Sequence, residues 1–405
     1  MENYMKKLTA FILIFTLLLA LLVPSYADTA DDVIGDTLGE GSVETGADDV
    51  DLGLDAAAAY LIEASTGKVL YADNELSAAS PASVTKIMTL LLVCEALAAG
   101  KINLEDTVTI SSYAASMGGS QIFLEEGERF SVEELIKSTV IASANDAAVA
   151  LAELVAGSES AFVKKMNERA TELGLKNTLF ENVTGLDDTT TNHYSCAADI
   201  ATMSRELIGH DIILKYSSIW QDTIRDGEFT LTNTNRLVRY YDGCNGLKTG
   251  STDKAGFCIS ATAKRGNMQL IAVIMGAETR DGRNNAARAL LDYGFSNFAL
   301  YEAAEEVIEN VPVIKGKSDY VTTYKTAFST VVDKGDLSGI ELFYEIPENL
   351  TAPVTEGDVV GKVIYKLDGE QIGYSDILAE GSVEKIGLFD LFVRILSNVF
   401  IGGKY

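Results

Sequence analysis

The stretch ASPASVTKIMTLLL (79–92) places the hydroxyl of Ser83 three residues ahead of the amine of Lys86. Residues three apart on a helix are neighbours on one face, so a nucleophile would sit beside a base. A lysine at its usual pKa of about 10.4 is protonated and useless as a base, but burial and a second nearby cation lower that value by several units. From Val84 onward the run is apolar enough to make a helix hydrophobic nearly all round, and hence buried. Burial of this lysine is therefore its activation. The spacing alone has little weight, because Ser65-Thr66-Gly67-Lys68 repeats it between two short apolar runs, where a solvated hairpin turn is expected.

Two further groups supply context. Ser143-Ala144-Asn145 interrupts the apolar helical segment IASANDAAVALAEL, and Lys248-Thr249-Gly250 closes a strand. Separately, the first reads as a helix irregularity and the second as a strand end; together, in this order, they fit acyl transfer to a serine. Ser143 can relay a proton between Lys86 and a leaving amine, while Asn145 can hold Lys86 and a substrate amide. Lys248 supplies the second cation that depresses Lys86. Thr249 can donate to a substrate carboxylate, and Gly250 lets the strand backbone come close to a ligand. The backbone N–H groups of Ser83 and Ser251 could together form an oxyanion hole. With only His193 and His210 in the chain, a Ser-His-Asp triad has little support. Four dispersed cysteines, Cys94, Cys196, Cys244 and Cys258, offer no metal-ligand spacing, so no metal or cofactor is expected. They read as small buried hydrophobes, with a Cys244–Cys258 disulfide left open.

These groups need a scaffold, and the 405-residue chain, 47% hydrophobic, is long enough for two or three packed domains. A net charge of −27 argues against nucleic acid, whose phosphates select basic surfaces, and suits an exported, extracytoplasmic protein. Residues 1–27 read as a signal peptide: Lys6 and Lys7, the apolar run Leu8–Val23, then Ser25-Tyr26-Ala27 as the cleavage site. Residues 28–53, acidic and without a basic residue, read as a disordered linker. A catalytic domain is expected over 54–300. Its helices run from about Pro81 to Ala98, with Ser80 as N-cap, and over Ser131–Ala156, Ser160–Leu173, Ala197–Leu207 and Asn284–Phe298. Cys244–Gly250, Gly256–Lys264 and Met268–Met275 read as antiparallel neighbours in one sheet. Residues 301–382 are strand-rich and form a small, sandwich-like all-β domain. Residues 383–405 form an amphipathic helix, with Asp390, Arg394, Ser397 and Asn398 on one face. It is too short to span a bilayer comfortably and reads as an anchor lying on a membrane surface.

The three groups resemble the S-x-x-K, S-x-N and K-T-G motifs of low-molecular-weight penicillin-binding proteins, the serine-type D-alanyl-D-alanine carboxypeptidases of peptidase family S11. The segments GGSQIFLEEGERFSVEELIKSTVIASANDAAVALAE, NGLKTGSTDKAGFCISATA and APVTEGDVVGKVIYKLDGEQIG are similar to family segments as well. The resemblance implies a mixed α/β fold of the penicillin-binding-protein and β-lactamase type, with an antiparallel sheet and helices, followed by the β domain and anchor helix. It implies that Ser83 is acylated and Lys86 is its base, with Ser143, Asn145 and Lys248 completing the catalytic set. Thr249, Gly250, Ser251 and Arg283, the last in RDGRNN, would bind substrate. The implied partners are peptidoglycan stem peptides ending in D-Ala-D-Ala, β-lactams as covalent inhibitors, and the outer face of the cytoplasmic membrane. Two departures stand out: Ser251 follows K-T-G where some members have histidine, and the acidic linker is long.

Three alternatives share some of these features. A D,D-endopeptidase would use the same machinery on crosslinks. A class A β-lactamase needs an additional glutamate to activate the deacylating water, and the appended β domain and anchor speak against it. A catalytically silent peptidoglycan-binding protein would not need the intact nucleophile and both lysines.

Overall fold

The computed structural model describes residues 50–188 and 190–400. The expected signal peptide and most of the acidic linker lie outside the described residues. Strands β1 (Ala58–Glu63) and β2 (Val69–Asp73) form the expected antiparallel hairpin, with Ala59 opposite Asp73. Its turn is held by the buried Glu63 carboxylate, which accepts from the hydroxyls of Ser65 (2.8 Å) and Thr66 (2.7 Å). Lys68 donates to the carbonyl of Val331 at 3.0 Å. The second S-x-x-K copy thus serves turn geometry, not chemistry.

Three longer strands, β3 (Cys244–Thr252), β4 (Gly256–Arg265) and β5 (Met268–Ala277), complete a five-stranded antiparallel sheet in the order β2-β1-β5-β4-β3. The continuous apolar run of β5 follows from burial on both faces. Ile271, Val273 and Met275 enter the core beneath the helices, while Leu270, Ala272 and Ile274 join a second core on the opposite face.

The helical side holds α1 (Lys86–Ala98), α2 (Val132–Ile141), α3 (Asn145–Ala156), α4 (Glu159–Glu172) and α5 (Ala197–Ile208). The α1 helix is buried along most of its length, as its all-round apolarity requires. Its start differs from expectation. A 3₁₀ turn (Ala82–Thr85) precedes it, and Ser80 caps nothing, because its hydroxyl donates to Asp187 Oδ1 at 2.8 Å. The single helix expected over 131–156 is two. Ser131 and Glu134 close a capping box at the start of α2, and the chain breaks at Ser143, whose φ of 62° lies in the left-handed region. On the opposite face, α6 (Arg280–Asn297) begins four residues before the expected start, at an N-cap where Thr279 accepts from the Gly282 N–H at 2.9 Å.

Strands β6 (Phe298–Ala303), β7 (Glu306–Ile314), β8 (Tyr320–Lys325), β9 (Phe328–Asp333), β10 (Glu341–Glu345), β11 (Leu350–Thr351), β12 (Val359–Leu367) and β13 (Glu370–Ala379) follow. They form a six-stranded sheet, β10-β12-β13-β8-β7-β11, and the pair β6-β9. Phe328 of β9 stacks on Tyr365 of β12 with ring centroids 4.1 Å apart, joining the two layers around a small core. The last described element is α7 (Leu388–Phe400), and no helix among the described residues is long and apolar enough to cross a membrane.

Candidate active site

The 3₁₀ turn before α1 lies against the end of β3, and the gap between them opens into a cleft of about 180 Å³. Ser83, Ser143, Thr249, Gly250, Ser251 and Arg283 line it, so six of the nine expected site residues meet directly at its wall. Lys86 and Lys248 lie immediately behind. Lys86 Nζ donates to Ser83 Oγ at 3.0 Å and to the Thr184 carbonyl at 2.9 Å. Lys248 Nζ donates to Ser143 Oγ and to the Thr249 carbonyl, both at 2.9 Å.

Both amines are buried. Burial holds Lys86 well below the ordinary lysine range, the charge of Lys248 pushes it further down, and Asp146 opposes the shift. Burial, with Arg283 second, lowers Lys248 to about 7. The left-handed φ of Ser143, and that of Ala82 at 46°, are strained conformations for residues other than glycine. Strain of that kind concentrates at functional sites, and here it sits beside both lysines.

One expectation is corrected. Asn145 does not bond Lys86: its side-chain N–H donates to the Gly118 carbonyl at 2.7 Å, and its Oδ1 is buried without a partner among the described residues. Gly250 lies at the cleft wall, and its missing side chain answers a further demand, from the turn that carries the nucleophile. A Cβ there would come within 2.8 Å of Ser83 N and 2.9 Å of Pro81 O. Glycine therefore permits the strand to pack against the serine turn.

Several neighbours carry no motif signal. Ser120, Thr234 and Arg280 also line the cleft. Asp146 accepts from the N–H groups of Ile122 and Leu124, both at 3.1 Å, and so pins the loop that brings Ser120 in. The Thr184 carbonyl that receives Lys86 is fixed by Asn182, whose Oδ1 accepts from Gly185 N–H at 2.7 Å. Asn-Val-Thr-Gly is legible as a turn, but its approach to Lys86 is tertiary. Gly185, at φ 80°, would place a Cβ 1.8 Å from the Ala82 carbonyl oxygen. Gly185→Ala should therefore destabilise the fold by about 3 kcal/mol or more, from left-handed strain plus overlap. An unchanged urea midpoint would contradict this. His193 is not beside the serine. It accepts from Glu181 N–H at Nδ1 (3.0 Å) and donates from Nε2 to Thr85 Oγ1 (2.8 Å), and burial lowers it to about 4.

A hydroxyl bonded to a depressed amine, a second hydroxyl bonded to a second amine, and a buried guanidinium can together transfer an acyl group from a substrate carrying a carboxylate. A family model described as D-alanyl-D-alanine carboxypeptidase, peptidase S11, matches residues 44–279. The chain belongs to this family. A second model, the C-terminal domain of penicillin-binding protein 5, matches residues 295–385. D-alanyl-D-alanine carboxypeptidase DacF of Bacillus subtilis is 43% identical over 355 residues, covering 86% of this chain and 91% of its own. Penicillin-binding protein 5 from Haemophilus influenzae superposes with a TM-score of 0.73 at 34% identity, covering 82% of this chain and 98% of that one. Penicillin-binding protein D2 from Listeria monocytogenes, solved in an ampicillin-bound form, superposes with a TM-score of 0.56 at 31% identity over 61% of this chain and all of its own. In this S11 carboxypeptidase, then, Ser83 and Ser143 face the cleft, and the amines of Lys86 and Lys248 stand behind them.

Proposed function

We propose that this chain is a serine-type D-alanyl-D-alanine carboxypeptidase that removes the terminal D-alanine of peptidoglycan stem peptides through an acyl-enzyme on Ser83. The observation that carries the reading is the 3.0 Å bond from a buried, depressed Lys86 amine to the Ser83 hydroxyl. Neutral Lys86 takes the hydroxyl proton as Ser83 Oγ attacks the penultimate carbonyl, and the oxyanion is received by the N–H groups of Ser83 and Ser251. Lys86 returns that proton by way of Ser143, held by Lys248: Ser143 gives its hydroxyl proton to the leaving amine and takes one from Lys86, while Asn145 positions the stem-peptide amide. Arg283 holds the terminal carboxylate on the wall that Thr249 shares with it. The C–N bond breaks, D-alanine departs, and water cleaves the ester to restore Ser83. A β-lactam enters the same path, its ring amide opening on Ser83 to leave an ester. Mass spectrometry should find a penicillin adduct on the peptide carrying Ser83, and a defined pentapeptide should yield free D-alanine. Absence of both would defeat the reading.

We assign residues 54–300 to the catalytic domain and 301–382 to the β domain. The site of action is extracytoplasmic, on the outer face of the cytoplasmic membrane. Support for a peripheral anchor comes from α7, where Arg394 pairs with Asp319 of the β domain while Leu388, Phe389, Leu391, Phe392 and Val393 stay exposed. An ion pair thus seats the polar side and leaves apolar side chains to enter a lipid surface. Attachment of this kind is mainly hydrophobic and only weakly salt-dependent. Salt washing should leave the protein on membranes, whereas truncation after Glu384 should release it with its soluble carboxypeptidase activity intact. A processed, truncated chain that still sediments with membranes would rule out the helix as anchor.

A further inference from the structure

Arg283 is 3% exposed, and its hydrogen bonds to protein go to the neutral Asn284 Oδ1, from Nε at 3.2 Å and Nη2 at 3.0 Å. A buried guanidinium without a carboxylate partner is costly unless an anion joins it. One helical turn earlier, Arg280 lines the same cleft, is exposed, and makes no hydrogen bond or ion pair among the described residues. It stands in the first turn of an 18-residue helix, where a cation opposes the helix dipole. The charges of Arg280 and Arg236, after burial, help lower Arg283 to about 10, so the guanidinium groups repel one another across a short distance. Arg236 has Asp281 at 3.9 Å as its counter-charge, whereas Arg280 has none among the described residues.

The wall beside them is built rather than incidental. Thr234 donates its N–H to the Ile141 carbonyl at 3.1 Å, and the next residue, Asn235, ties the loop to the Gly246 carbonyl at 2.7 Å. Thr249, the residue assigned above to the substrate carboxylate, donates its hydroxyl proton to Thr234 Oγ1 at 2.7 Å. A hydroxyl has a single proton to give, so the one still available to a ligand belongs to Thr234.

We propose that Arg280 and Thr234 are substrate-reading residues that extend the carboxylate site of Arg283. Thr234 donates its hydroxyl to one carboxylate oxygen, and Arg280 closes the outer side of the same group. A free C-terminal carboxylate is thereby selected over a neutral end. This rests on the acyl-transfer reading of Ser83 and the carboxylate site of Arg283, and it deepens that reading by naming two further residues that read the carboxylate.

The test compares full-length wild type, Arg280→Gln, Arg280→Lys and Thr234→Val on an N-acylated tripeptide ending in D-Ala-D-Ala and on its C-terminal amide. Arg280→Gln should raise KM for the free acid about three- to tenfold, the scale of a partly exposed charge pair, with kcat within about twofold. KM for the amide should not change, so the preference for the acid shrinks. Arg280→Lys should recover most of the loss, and ionic strength near 1 M should bring wild type and Arg280→Gln together. Thr234→Val should raise KM for the acid more than for the amide. The proposal is overturned if Arg280→Gln leaves KM for the acid unchanged at low salt, lowers kcat alone, or is matched in its defect by Arg280→Lys. A wild-type enzyme that releases no D-alanine and takes no penicillin on Ser83 would instead overturn the acyl-transfer reading on which this one stands.

Discussion

Ser83→Ala should abolish both penicillin labelling and D-alanine release, with the turnover rate falling by about 10⁶-fold, the scale associated with loss of a serine nucleophile. The expectation follows from position rather than motif. Ser83 is the hydroxyl that both lines the cleft and receives a hydrogen bond from Lys86. Removing it leaves Lys86 bonded to the Thr184 carbonyl at 2.9 Å, so the turn and helix keep their anchor and the variant should fold. Ser65→Ala is the matched control. That serine has the same spacing to Lys68, yet its hydroxyl is bonded to Glu63 in a hairpin turn. It should lose at most a few tenths to about 1 kcal/mol of stability and keep full labelling. Labelling that survives in Ser83→Ala would assign the ester to another residue.

The parts of this molecule legible in the sequence are those whose cause is local. The hairpin at Ser65-Thr66-Gly67, the burial of α1, the antiparallel run of β3, β4 and β5 and the order of the three motifs follow from periodicity, turn chemistry and spacing over a few residues. What escaped is set by distant partners. Ser80 has the composition of an N-cap, but Asp187, 107 residues away, takes its hydroxyl. The Ser131–Ala156 segment has helical periodicity throughout, and its break at Ser143 accompanies the bond from Lys248, 105 residues on. Gly250 at the cleft also has to clear the backbone of Ser83 and Pro81, a demand set by residues far away in the chain. Arg280 and Thr234 belong to no spacing rule, because a helix start and a loop meet at the cleft only once the sheet is assembled.

Lys86→Ala should reduce acylation by several orders of magnitude, since a positioned general base contributes about 10²–10⁴-fold and this amine also orients the nucleophile. Lys248 tests the electrostatics behind that role. Lys86 must be neutral to accept a proton, so acylation rises with pH through the pKa of Lys86. Burial is the larger cause of its depression, and the charge of Lys248 is the second. Replacing Lys248 with alanine removes a like charge, which raises the pKa of Lys86 and moves the ascending limb of kcat/KM to higher pH. Lys248 is itself lowered to about 7, so its charge is present below that pH and fades above it. The variant should therefore lose most on the acid side. Above about pH 7 its profile should run parallel to wild type, offset by a constant factor for the lost contact with Ser143. Arg283→Gln provides the opposite lever. Arg283 lowers Lys248, so its removal should extend the charge of Lys248 to higher pH and hold Lys86 neutral over a range at least as wide as in wild type. A Lys248→Ala profile that keeps the wild-type shape at every pH would mean that Lys248 acts through contacts alone and that burial by itself activates Lys86.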